Sequence, residues 1–145
     1  MTARDTSAEA RSWVDVHASH RSVGVDAERV DRWRSADTRL FTDAENAHCR
    51  AQGRPEESYA GRWAAKEAVV KAVFPFCVVG PRDVEVVAGA DGAPRVRLRL
   101  PSWAADLVEV VVSISHTSHM AVAVAVADLR RGAPPANEPR TDQES

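Results

Sequence analysis

"GRWAAKEAVVKA", Gly61 to Ala72, decides the fold. Alanine and valine fill most of its circumference, and nothing inside it breaks a helix. Pro55 followed by Glu56 and Glu57 opens the element, with proline at its first turn and acids at its positive end. Pro75 stops it just after Phe74. The pattern predicts one long helix from Pro55 to about Phe74. At about 100° per residue, Glu67 and Lys71 share one face of it, while Arg62 and Lys66 lie on another. Two readings follow. Glu67 and Lys71 form an i,i+4 pair worth a few tenths of a kcal/mol on a surface. Alternatively, the helix carries a carboxylate and several cations to a phosphate.

Around this helix the period changes. "SVGVD", Ser22 to Asp26, reads as a strand that turns abruptly acidic, with a short helix over Glu28 to Trp33. "TDAE", Thr42 to Glu45, has the capping-box pattern and opens a helix ending near Gly53. "DVEVV" at Asp83 and "PRVRLRL" at Pro94 alternate with period two and are joined through Asp91-Gly92, a hairpin sequence. Val108–Ser113 and Met120–Ala127 are two apolar strands flanking a corner at Ser115–His119. A weak strand is expected at Trp13–His17, a flexible segment over 1–12, one domain over 13–128 and a disordered Pro-rich tail over 129–145. The fold class is α+β: an antiparallel sheet wrapped on one long helix.

With 44% apolar and 28% charged residues, this composition is that of a soluble globular domain. A net charge of −2 gives no global attraction to nucleic acid, so any basic surface is local. Cys49 and Cys77 match neither a disulfide framework nor a zinc site and suit a reducing cytoplasm. The opening "MTARDTSAEARSW" lacks an apolar run, so no signal peptide is expected, and the apolar stretch 108–127 is too interrupted for a membrane span.

Three elements carry chemistry. In "VGVDAE" an extended chain would point Asp26 and Glu28 the same way, and carboxylates meeting from separate segments suit Mg²⁺. Equally, Asp26 serves as a helix cap and Glu28 as a first-turn acid. The long helix adds Glu67 and Lys71. "SISHT", Ser113 to Thr117, places His116 in a Ser/Thr corner, where it either satisfies the backbone or faces an anion.

Taken in order, "GVD" at Gly24, "RLFTDAE" at Arg39, "RWAAKEAVVKA" at Arg62, "DGAP" at Asp91 and "SISHT" at Ser113 resemble the 4'-phosphopantetheinyl transferase superfamily, and its small holo-acyl-carrier-protein synthase branch. The resemblance runs from Val23 to Ala127. It implies that fold, and transfer of 4'-phosphopantetheine from coenzyme A to a serine of an apo carrier protein, releasing 3',5'-ADP. Asp26 and Glu67 would be Mg²⁺ ligands, Glu28 either a third ligand or a support behind them, and Glu67 a base for the serine hydroxyl, directly or through a metal-bound water. Lys71 would contact the pyrophosphate. Arg62, Ser115 and His116 would lie by the nucleotide phosphates, and Gly92 and Pro94 by the adenine. Arg32, Arg34 and Arg39 would meet an acidic carrier protein, and the assembly would be a homotrimer with its site between protomers.

The chain departs from the branch at two places. The position three residues after Asp26 is Arg29, and the acid falls at Glu28 instead. After the long helix a Gly-rich segment is replaced by "VFPF", Val73 to Phe76. A non-catalytic module binding coenzyme A or carrier protein is therefore the alternative, and a structural oligomer with accidental motif matches ranks last.

Overall fold

The computed structural model describes residues 20–130. The strand expected at Trp13–His17 and the segments expected to be flexible or disordered, 1–12 and nearly all of 129–145, lie outside the described residues. Seven elements follow in order: β1 (Arg21–Arg29), α1 (Asp43–Arg50), α2 (Pro55–Val73), β2 (Val84–Ala88), β3 (Pro94–Leu98), β4 (Val108–His116) and β5 (Met120–Leu129). β5 lies between β1 and β4 in one antiparallel sheet, and β2 and β3 form a separate hairpin. The α+β expectation of antiparallel strands on one long helix holds. No helix among the described residues is long and apolar enough to cross a membrane.

α2 packs against β1, β4 and β5, and small side chains make the approach close. Its buried stripe is Ala64, Ala65, Ala68, Val69, Ala72 and Val73, and β5 answers with Ala121, Ala123, Ala125 and Ala127. The tightest contact is at Gly24 of β1. A Cβ built there would stand 1.9 Å from the Ala68 carbonyl oxygen and 2.7 Å from the Ala72 nitrogen. Only glycine lets the strand lie on the helix backbone at this point. A second cluster, Trp33, Phe41, Tyr59 and Trp63 in edge-on and tilted contacts, closes the other end of the helix.

Thr42 and Glu45 form the expected capping box, with Glu45 N donating to Thr42 Oγ1 at 3.2 Å and Thr42 N donating to the Glu45 carboxylate at 2.8 Å. α1 ends at Arg50, three residues short of Gly53. The hairpin turns through residues 89–93, with Gly92 at φ +80°, the left-handed region glycine favours.

Two expectations need correction. β1 does not stop at Asp26 but stays extended through Arg29, because its ladder with β5 continues to the Arg29–Met120 pair. The helical turn then covers only Val30–Trp33, so Asp26 caps no helix. Likewise β4 runs to His116. Ser115 and His116 are ladder residues opposite Val122 and Ala121, and the corner is confined to Thr117–His119, where Thr117 N donates to Met120 O at 2.8 Å.

Candidate active site

Extended geometry decides the first acidic feature. Residues two apart on a strand point to the same face, and Gly24 lies on the face against α2. Asp26 and Glu28 therefore point toward the helix, each half-buried. Asp26 Oδ1 accepts from Lys71 Nζ at 2.9 Å, and the same ammonium donates to the Val25 carbonyl at 2.9 Å. The helix lysine is thus tied to the strand, and its recorded ion pair is with Asp26, not with Glu67 four residues before it. Asp26 Oδ2 is buried and has no hydrogen-bond partner.

Glu67 stands next to this pair. Burial raises its carboxyl above the ordinary glutamate value, Asp26 raises it further, Lys71 pulls it back and Glu28 adds a smaller upward push. Glu28 already has partners: Trp33 Nε1 donates to it at 3.2 Å, and Arg32 approaches to 3.6 Å. Two half-buried carboxylates that repel, one with an orphaned oxygen, fit a hard divalent cation between them. Among the described residues no three His, Cys, Asp or Glu side chains gather closely enough to enclose an ion.

Lys66, on the other side of α2, does something different. It is fully buried and donates to both oxygens of the fully buried Glu45, at 3.0 Å and 2.8 Å, and also to the Val84 carbonyl. Glu45 in turn accepts from Thr42 N and Val86 N, each at 2.8 Å. This ion pair knits α1, α2 and β2 together and offers no charge to a ligand.

A cavity of about 410 Å³ opens on the Arg62 side of α2, between that helix, α1, the hairpin turn and β4. Arg62, Gly92, Pro94 and His116, which the resemblance would place by the nucleotide, all line it. Arg62 is only 9% exposed, and its Nε is buried without a partner. Burial lowers its guanidinium from the ordinary value, yet arginine stays charged. His116 Nδ1 lies 3.3 Å from Glu57. Ser115 is exposed and stands outside this cavity, on the opposite face of β4 from Ile114 and His116. His48 is a lining residue that sequence reasoning passed over. Its place on α1, six residues after a recognisable cap, was the available clue.

Arg32, Arg34 and Arg39 are exposed along the segment between β1 and α1. Arg39 folds back on Asp37 at 2.9 Å, a bond that raises the arginine and lowers the aspartate. Arg34 lines a separate cleft with Arg29 and Arg54.

A family model described as the 4'-phosphopantetheinyl transferase superfamily matches residues 22–127. The chain is 36% identical over 117 residues to a holo-[acyl-carrier-protein] synthase of Caldicellulosiruptor bescii, covering 74% of this chain and 97% of that one. It is 39% identical over 121 residues to fatty acid synthase subunit alpha of Schizosaccharomyces pombe; that match covers 75% of this chain but only 6% of the fungal subunit's length. The fold is similar to that of the ACPS-CoA complex of Chronobacterium ammoniagenes, with a TM-score of 0.64, 27% identity, and coverage of 77% of this chain and 98% of that one.

Proposed function

The chain belongs to the 4'-phosphopantetheinyl transferase superfamily, and from that premise we propose that it is a holo-acyl-carrier-protein synthase. It transfers 4'-phosphopantetheine from coenzyme A to a serine of an apo carrier protein and releases 3',5'-ADP. The observation that carries the assignment to this site is the Asp26–Glu67–Lys71 group, with its unpartnered carboxylate oxygen. Asp26 and Glu67 would hold Mg²⁺, which when bound would offset pyrophosphate charge. Glu67, whose carboxyl burial raises above the ordinary glutamate value, accepts the serine proton as the hydroxyl oxygen attacks phosphorus. Lys71 places a positive charge beside the phosphate oxygens while the bond to 3',5'-ADP breaks. Its anchor on Asp26 and Val25 keeps that charge in place before substrate arrives.

The nucleotide half of coenzyme A occupies the Arg62 cavity, with the Gly92–Pro94 turn against the adenine. Glu67 and Lys71 follow Arg62 by five and nine residues, about 140° and 180° around the helix. The two halves therefore face apart within one protomer. A second copy that presents its Asp26–Glu67–Lys71 group to this cavity brings them together. The outer sheet face supports such an assembly: Val23, Val25, Val111, Val122 and Val124 are 40–68% exposed and lie away from α2. We read the assembly as a homotrimer closed on this face. Arg32, Arg34 and Arg39 receive the acidic surface of the carrier protein. Two free cysteines suit the cytoplasm.

The test is incubation with coenzyme A, Mg²⁺ and a panel of apo carrier proteins, read by intact mass spectrometry. A phosphopantetheine mass increase is expected, and Glu67→Ala should remove it while leaving the protein folded. Coenzyme A bound by calorimetry with no mass increase on any carrier would show a binding module instead.

A further inference from the structure

The Arg62 cavity contains an imidazole that the proposed reaction does not use. His48 points into it from α1, half-buried, alongside Arg62 from α2 and His116 from β4. We propose that His48 recognises the 3'-phosphate of coenzyme A and takes up a proton as that phosphate docks. The inference rests on coenzyme A being the ligand.

The Arg62 guanidinium, mostly buried and lining the cavity with no carboxylate paired to it among the described residues, calls for an anion. A phosphate monoester carries about −1.5 to −2 charge near neutral pH, more than one guanidinium offsets. The second donor must come from the cavity wall. Glu57 cannot serve, being an acid held by Arg54 at 3.0 Å and facing His116 at 3.3 Å. Arg54 is mostly exposed and committed to Glu57. Cys49, beside His48, is a buried thiol raised by burial and stays neutral. His48 is the remaining lining group on the α1 wall that can gain charge.

Its electrostatics support the role. In the free protein, burial and then the Arg62 charge push His48 below the ordinary histidine value, so it is neutral near pH 7. A phosphate bound against Arg62 cancels that repulsion and adds attraction of its own. Protonation of His48 then becomes favourable, and the imidazolium donates to the phosphate. The other titratable groups around the cavity are Arg54 and Glu57, paired at 3.0 Å, and His116, whose Nδ1 lies 3.3 Å from Glu57.

Calorimetric titration with coenzyme A and with 3'-dephospho-coenzyme A, in buffers of different ionisation enthalpy, counts the protons exchanged. The wild-type protein should take up a substantial fraction of a proton with coenzyme A and nearly none with the dephospho form. His48→Gln should abolish that uptake and weaken coenzyme A about tenfold, the size of one charge-assisted hydrogen bond, while leaving the dephospho affinity unchanged. Equal uptake in wild type and His48→Gln overturns the inference, as does uptake that disappears only in His116→Gln. Should His48→Gln fail to fold, the wild-type preference for coenzyme A over its dephospho form decides. It should fall between pH 6.5 and 8.5, and a flat ratio sinks the idea. Failure of the wild-type protein to bind either nucleotide would overturn the coenzyme A reading itself, and this inference with it.

Discussion

Lys66→Met isolates the buried ion pair, and the structure sets the size of its effect. Lys66 supplies two of the four hydrogen bonds recorded on the Glu45 carboxylate, at 3.0 Å and 2.8 Å; the others are amide donations from Val86 and Thr42, both at 2.8 Å. Both charged side chains are completely buried. Methionine fills similar volume but leaves a carboxylate in the core with only neutral donors. Breaking a buried pair in this way costs about 3–5 kcal/mol, against a typical total stability of about 5–15 kcal/mol. The melting temperature should fall on the order of 10–20 °C. The double variant Glu45→Gln/Lys66→Met removes the stranded charge and should cost less than the sum of the two single changes. Denaturant titration of all three variants gives the coupling energy. A Lys66→Met cost below about 1 kcal/mol, or strict additivity in the double variant, would refute the reasoning. A Lys66→Met protein assayed at a temperature where it remains folded should keep the wild-type KM for coenzyme A, since Lys66 faces the core.

Other perturbations test other joints. Gly24→Ala places a Cβ 1.9 Å from the Ala68 carbonyl oxygen, so β1 must leave the helix; a loss of about 3 kcal/mol or more is expected in denaturant titration. Val124→Glu puts a charge on the outer sheet face opposite Val25 and Ser113; sedimentation velocity should show monomers, and the transfer activity should disappear with the trimer. In chelator, the raised Glu67 carboxyl stabilises the fold only while protonated, below the ordinary glutamate range, and that contribution is lost as pH rises through its raised value. Glu67→Gln should therefore match wild type in acid and exceed it at neutral pH, and Mg²⁺ should raise the melting temperature of wild type only.

Much of this was legible because local rules and global packing agree. Pro55 and the alanine-rich run specify α2, and Thr42 with Glu45 specifies the start of α1. The Asp26, Glu67 and Lys71 grouping was also legible, but the Asp26–Lys71 pairing was not. A four-residue helical spacing favours Glu67 with Lys71, and only the register that lays Gly24 on Ala68 brings Asp26 within 2.9 Å. Lys66 and Glu45 are distant in sequence, and nothing in either neighbourhood indicates burial of both. The "MAVAVAVA" run, Met120 to Ala127, did contain a readable clue. Its alternation is between two apolar residue types. The structure turns the alanines inward and leaves Val122 and Val124 each 40% exposed.

That inversion has a physical cause that links fold to function. Along β5 and at Gly24 of β1 the helix side of the sheet holds small residues, because α2 lies close there. By contrast, β4 keeps Val110, Val112 and Ile114 against the core. Close packing is what allows a short lysine–aspartate contact across the helix–strand boundary and holds Glu67 beside it. The valines of β5, Val122 and Val124, then occupy the outer face. An outer sheet face lined with valine is costly in water as a monomer, at about 25 cal/mol per Å² of apolar area. The same packing that assembles the acidic group thus leaves the exposed valine face on which the proposed trimer closes. In the proposed trimer, two half-sites that face opposite sides of one helix are completed by neighbouring copies.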